Sequence, residues 1–174
     1  MKTALLIIDM INTLDFPEGG KLLRHAIPAA HAIARLKKKM RRTKSPVIYV
    51  NDCFGHWKDN WEDVFAMCSK EGMKGAILCE ILPPEKDDYF VLKPKHSGFF
   101  GSSLEVLLKS LKVEKLIVTG IAGNICVLFT VNDAYMRGYK IHVPANAIAS
   151  ETKKDNQSVL RLFENYFKIK TDAA

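Results

Sequence analysis

The sequence has no Cys-x-x-Cys pair: its four cysteines stand at positions 53, 68, 79 and 126. That spacing excludes zinc-finger and thioredoxin-type motifs. Four cysteines allow two disulfides on count alone, but in a chain read as cytosolic free thiols are the expectation. No apolar run approaches the roughly 20 residues of a membrane span. The N-terminal run Ala4 to Ile8 resembles the start of a signal peptide, but Asp9 ends it after five residues. A buried first strand in a cytoplasmic protein with no membrane partner is the reading that follows. There is no internal repeat, low-complexity tract or linker. The 174 residues therefore suit one domain spanning 1–174, able to bury a core without disulfides or structural metal.

The formal net charge is +7, and six of the eight residues from Lys37 to Lys44 are basic. Such a run invites a nucleic-acid reading. No aromatic residue interleaves it, as a single-strand binder would require. A solvated helix C-terminus, where cations suit the helix dipole, is the expectation, with no nucleic-acid partner.

Ala4 to Ile8 is nearly all apolar, the pattern of a strand covered on both faces. Asp9 stands at its C-terminal end, the edge where open α/β sheets bind ligands. It is a site candidate, and equally a helix-capping or turn aspartate. After the turn-rich segment 15–20, apolar residues recur at helical spacing from Leu22 to Leu36. Ser45-Pro46 breaks the helix, and Val47 to Val50 reads as a second strand. From Asn51 to Pro84 the pattern weakens, and a long irregular connection is expected to line or cover a pocket. Within it His56, Trp57 and Trp61 are either substrate contacts or packing residues.

Tyr89 to Lys93 reads as a third strand ending in a lysine, with a helix over 102–112. Lys115 to Thr119 makes a fourth strand, and a helix follows to about Arg137, stopped by Gly138. Tyr139 to Val143 makes a fifth strand, a last helix starts near Thr152 or Lys153, and Tyr166 to Lys170 reads as a short sixth strand. This alternation predicts an α/β fold with a six-stranded, mainly parallel sheet and right-handed crossovers.

The stretch after the fourth strand carries the chemistry. A glycine-containing turn delivers Cys126 to the first turn of a helix, where unpaired N–H groups and the dipole favour a thiolate. In a parallel sheet Asp9, Lys93 and Cys126 share one edge, so a carboxylate, a cation and a thiol can converge. Together they supply a proton acceptor for the thiol and part of what a developing oxyanion needs. Taken singly, each is also a capping aspartate, a surface lysine or a buried structural cysteine.

In order along the chain, the segments Leu5-Leu6-Ile7-Ile8-Asp9-Met10, Lys93-Pro94-Lys95-His96-Ser97-Gly98-Phe99, Gly120-Ile121-Ala122 with Cys126-Val127, and Asn132-Asp133-Ala134 with Gly138-Tyr139 resemble the cysteine hydrolases of the isochorismatase-like superfamily. That superfamily includes nicotinamidases and N-carbamoylsarcosine amidohydrolases. The resemblance implies a three-layer Rossmann-like fold and a triad of Asp9, Lys93 and Cys126. Lys93 is chosen over Lys95 because it lies four residues before Ser97, as the family lysine does. The resemblance also implies a cis peptide between Ile121 and Ala122, and an oxyanion hole built from the backbone N–H groups of Ala122 and Cys126. The implied activity is hydrolysis of an amide or ureido C–N bond of a small-molecule substrate through a thioester, without a cofactor, in what is by analogy a homo-oligomer. Phe16, Asp52, Trp57 and His96 are the expected substrate contacts.

The sequence also departs from the pattern. Nicotinamidases of this superfamily hold a metal through an aspartate with a histidine two positions later, whereas Asp52 is followed here by Cys53 and Phe54. No catalytic metal is expected, and nicotinamide is disfavoured as substrate. Ile11 replaces a common glutamine, and Gly123-Asn124 stands where the metal-binding branch often has Thr-Asp. Two alternatives remain: vinyl-ether hydrolysis of the isochorismatase type, which does not depend on the cysteine, and a non-catalytic binding module.

Overall fold

The computed structural model describes all residues from Met1 to Ala174. Six strands form one sheet: β1 (Thr3–Ile8), β2 (Val47–Asp52), β3 (Tyr89–Lys93), β4 (Lys115–Ile121), β5 (Lys140–His142) and β6 (Ile148–Ala149). The order is β3-β2-β1-β4-β5, with β6 alongside the C-terminal half of β4, and every pairing is parallel.

Side-chain alternation along β1 divides the core between the two faces of this sheet. Leu5 and Ile7 pack beneath α1 (Gly19–Arg42), α2 (Trp61–Cys68) and α3 (Ala76–Ile81), with Ile33, Tyr49, Val64 and Leu78. Ala4, Leu6 and Ile8 pack on the other face against α4 (Leu104–Ser110), α5 (Leu128–Met136) and α6 (Lys153–Asn165), with Val118, Val131 and Phe163. All five of these β1 residues are fully buried. A leucine or isoleucine so placed contributes about 1.5–3 kcal/mol.

The chain winds from β1 outward to β3 on one side, then crosses to β4 and winds outward on the other. β1 and β4 therefore flank the switch point, where the connections diverge and leave a crevice at the C-terminal edge. Gly120 lets the two strands approach there. It pairs with Ile8 at φ +115°, and a Cβ on it would lie 2.0 Å from the Ile8 carbonyl oxygen.

Three expectations are corrected. The sixth strand is Ile148–Ala149, paired with Gly120 and Ile121; in 166–170 only Lys170 bridges to the sheet, and Lys168 at φ +54° breaks the extended run. The stretch 51–84 is not irregular throughout, because it holds α2 and α3. The first of these starts in a capping box in which Asn60 and Asp63 each accept the other's backbone N–H at 3.0 Å. The four cysteines are all free thiols.

The basic end of α1 is not uniformly solvated either. Lys37 is buried, with Nζ donating to the Tyr49 hydroxyl at 3.0 Å and the Pro83 carbonyl at 2.6 Å, and lying 2.8 Å from Asp88. Arg41 pairs with Asp88 and Glu85 at 2.8 and 2.7 Å. Two of the six cations are thus spent on tying the segment before β3 to α1. No helix is long and apolar enough to cross a membrane.

Candidate active site

Each of the three predicted groups sits at the C-terminal end of its strand. Asp9 follows β1 at φ +50°, a left-handed conformation that aspartate tolerates better than most residues. Its N–H donates to the Val50 carbonyl at 3.0 Å, which fixes it between β1 and β2. Lys93 closes β3 with no exposed surface, and Cys126 lies in a five-residue π-helical turn, Gly123–Val127, that leads into α5.

These side chains meet. Lys93 Nζ is 2.9 Å from Asp9 Oδ2, 3.7 Å from Cys126 Sγ and 3.6 Å from Asp52 Oδ2. The other Asp9 oxygen accepts the Asp52 backbone N–H at 2.7 Å. The Ile121–Ala122 peptide is cis. The Ala122 N–H has no acceptor within the chain.

The nucleophile turn is pinned from α5. The Thr130 hydroxyl donates to the Cys126 carbonyl at 2.7 Å and accepts the Gly98 N–H at 2.9 Å. Ser97 Oγ donates to Asp133 at 2.5 Å and accepts the Phe99 N–H at 3.1 Å. This lattice carries His96 over the thiol. Its Nδ1 lies 4.0 Å from Cys126 Sγ, and its ring packs against Phe129.

The electrostatics differ from the expectation of an acidified thiol. Burial, reinforced by the Asp9 carboxylate, pushes the Cys126 thiol up to about 12, against the opposing pull of Lys93. The helix terminus does not overcome desolvation, so the resting sulfur keeps its proton. Burial likewise raises Asp9 above its ordinary value, outweighing Lys93 and the hydrogen bonds it accepts. Burial alone would lower Lys93, but the charges of Asp9, Cys126 and Asp52 outweigh it, and the ammonium is held charged. The trio at rest is an ion pair beside a thiol, with a carboxylate whose proton affinity is raised toward that of its neighbour.

A cavity of about 560 Å³ opens above this cluster. Asp9, Cys126, Ala122 and Ile121 line it together with Phe16, Asp52 and His96. Trp57 does not: it is 79% exposed, because the turn through Phe54 and Gly55, both at positive φ, gives the cavity Phe54 and leaves the indole in solvent. Trp61 packs, stacking on Phe90 at 3.9 Å, and His56 lies on the surface bonded to Asp59, so neither lines the cavity. Sequence reasoning missed Asn12, Ile125 and Glu151. Asn12 and Ile125 flank motif residues. Glu151 was detectable only by recognising the two-residue strand β6 that it follows.

Gathered histidine, cysteine and carboxylate ligands are what a resident metal would require. No group of three or more such side chains is placed to hold one. The residues around Asp52 do not fit the metal of the nicotinamidase branch, since Phe54 stands two positions later, where a histidine would be needed.

A doubly wound parallel sheet with a thiol, a carboxylate and an ammonium converging at its switch point defines an α/β protein with a candidate active site at that edge. Residues 3–174 match the isochorismatase domain, and the chain belongs to the isochorismatase family of hydrolases. It is 44% identical over 162 residues to the uncharacterized isochorismatase family protein YaaI of Bacillus subtilis, covering 93% of this chain and 88% of that one. It is 29% identical over 163 residues to the ureidoacrylate amidohydrolase RutB of Azorhizobium caulinodans, covering 79% and 72%. The crystal structure of N-carbamoylsarcosine amidase from Thermoplasma acidophilum superposes with a TM-score of 0.74 at 25% identity, over 99% of this chain and 96% of that one.

Proposed function

We propose that this chain hydrolyses a C–N bond of a small amide or ureido compound through a thioester on Cys126, with Asp9 as proton carrier and Lys93 as its partner. The observation that carries the reading is the buried Asp9–Lys93 pair beside the Cys126 thiol under a cavity of small-molecule size. Two relatives named as amidohydrolases or amidases support the bond type.

The substrate carbonyl lies over Cys126 Sγ. Asp9 takes the thiol proton as the S–C bond forms, and the carbonyl electron pair moves onto oxygen. The N–H groups of Ala122 and Cys126 receive this oxyanion. One such donor is worth about 3 kcal/mol in the transition state. When the intermediate collapses, the C–N bond breaks and Asp9 returns its proton to the departing ammonia or amine. Water then attacks the thioester, giving a proton to Asp9; the acyl–sulfur bond breaks, and Asp9 reprotonates the thiolate.

The raised proton affinities of Asp9 and Cys126 suit this cycle. The thiol is deprotonated only when a carbonyl is present to take the sulfur's electrons, and Lys93 then neutralises whichever of the two carries the charge. Isochorismatase-type vinyl-ether hydrolysis leaves Cys126 without a role. A binding module leaves the buried ion pair without one, and two of the six cations of 37–44 are already paired.

The experiment is a screen for ammonia release over primary amides, ureido compounds and nicotinamide, with and without chelator. Mass spectrometry of the quenched reaction accompanies it. An acyl adduct on Cys126 and indifference to chelator are expected. Turnover without an adduct on any cysteine, or inhibition by chelator, contradicts the reading.

A further inference from the structure

We infer that the cavity favours amides with an apolar body and a basic end, accepts neutral ones, and turns away those that carry a carboxylate. The inference rests on the cysteine reading above and names the substrate class of that same site.

The chain as a whole is strongly basic, at +7, yet the side chains lining this cavity include four carboxylates, Asp9, Glu18, Asp52 and Glu151, and no lysine or arginine. The one ammonium close by, Lys93, is fully buried. It stands 2.9 Å from Asp9 and 3.6 Å from Asp52, so its charge is balanced before a substrate arrives. His96 is the only basic side chain on the walls.

The four acids are not equivalent. Asp9 and Asp52 face Lys93, and Glu18 is held by Lys21 at 2.6 Å in an exposed rim pair. Glu151 is half-buried and makes neither an ion pair nor a hydrogen bond within the chain. The remaining walls are apolar, from Phe16, Pro17, Leu22, Phe54 and Ile125. A substrate carboxylate would lose water there and face four acids against one histidine, whereas an ammonium or guanidinium finds Glu151 unpaired. Ureidoacrylate, the compound in the name of the Azorhizobium caulinodans relative, is a carboxylate, and poor turnover of it is expected here.

The test reads the field at Cys126 directly. The protein is treated at low salt with aminoethyl or sulfonatoethyl methanethiosulfonate, which differ in charge, and the rate of mixed-disulfide formation at Cys126 is followed by peptide mass. Each rate is divided by that of the same reagent with a small free thiol. The cationic reagent is expected to be faster by about 10-fold, and this ratio should fall by about 3-fold in Glu151→Gln and shrink with salt. As a second reading, para-(aminomethyl)benzamide, benzamide and para-carboxybenzamide should protect Cys126 from iodoacetamide in that order.

A normalised ratio of one or less, or best protection by the carboxylate, overturns the inference. A ratio unchanged in Glu151→Gln overturns the assignment to Glu151. Labelling needs no turnover, so the two readings fail separately. A clear cationic preference in a protein whose Cys126→Ala form still hydrolyses amides would sink the nucleophile alone. An anionic preference beside an acyl adduct on Cys126 would sink the substrate class alone.

Discussion

The Asp9 carboxylate and the Lys93 ammonium are 2.9 Å apart, with side chains 6% and 0% exposed. Burial nevertheless raises the carboxylate's pKa above its ordinary value of 3.8. Asp9 accepts a proton only when ionised, so activity falls as pH drops through this raised value. The acid limb of kcat/KM is expected on the neutral side of the ordinary carboxylate range, measured as a pH profile of ammonia release. A limb at or below the ordinary aspartate value would show that another group limits the rate. Asp9→Asn should cost about 10²–10⁴-fold in kcat, the range of a lost general acid–base.

Lys93 lowers the pKa of both Asp9 and Cys126 against the effect of burial. Lys93→Met should therefore move the acid limb further up as well as slow the reaction. A slower enzyme with an unmoved limb would mean that Lys93 only packs.

Far from the cavity, Lys37 and Asp88 form an ion pair with side chains 5% and 2% exposed. Removing one partner strands the other. Lys37→Ala should cost about 3 kcal/mol in denaturant unfolding while leaving kcat of the folded fraction unchanged. A loss below about 1 kcal/mol would show that Arg41 suffices for Asp88.

Gly120 is where β1 and β4 approach most demandingly, with φ +115° and the Ile8 carbonyl 2.0 Å from any added Cβ. Gly120→Ala should destabilise by more than about 2 kcal/mol, and should lower activity further by spreading the strands that carry Asp9 and Cys126. Thermal unfolding and kcat, measured together, check it.

The legible part of this molecule was the part fixed by long apolar periodicity. β1, α1 and the strand before Cys126 stood out because they are central and buried on one or both faces. The parallel topology then placed Asp9, Lys93 and Cys126 at one edge without any knowledge of distances. Short elements escaped: α2 and α3 are too brief for a helical repeat to show, and β6 is two residues recruited by the free flank of β4. Glu151 was lost with β6. Lys37 looked like a surface cation because its partners, Asp88 and the Tyr49 hydroxyl, come from distant segments. The protonation of Cys126 was misjudged for a related reason, since a helix terminus is visible in sequence and the extent of desolvation is not.

The central claim is that the Cys126 sulfur forms the bond to the substrate carbonyl. The most direct measurement is ammonia release by the wild-type chain and by Cys126→Ala on whichever amide or ureido compound the wild type turns over. Loss of at least about 10³-fold, with the fold intact, is the predicted result. A Cys126→Ala protein that still releases ammonia at a comparable rate would contradict it.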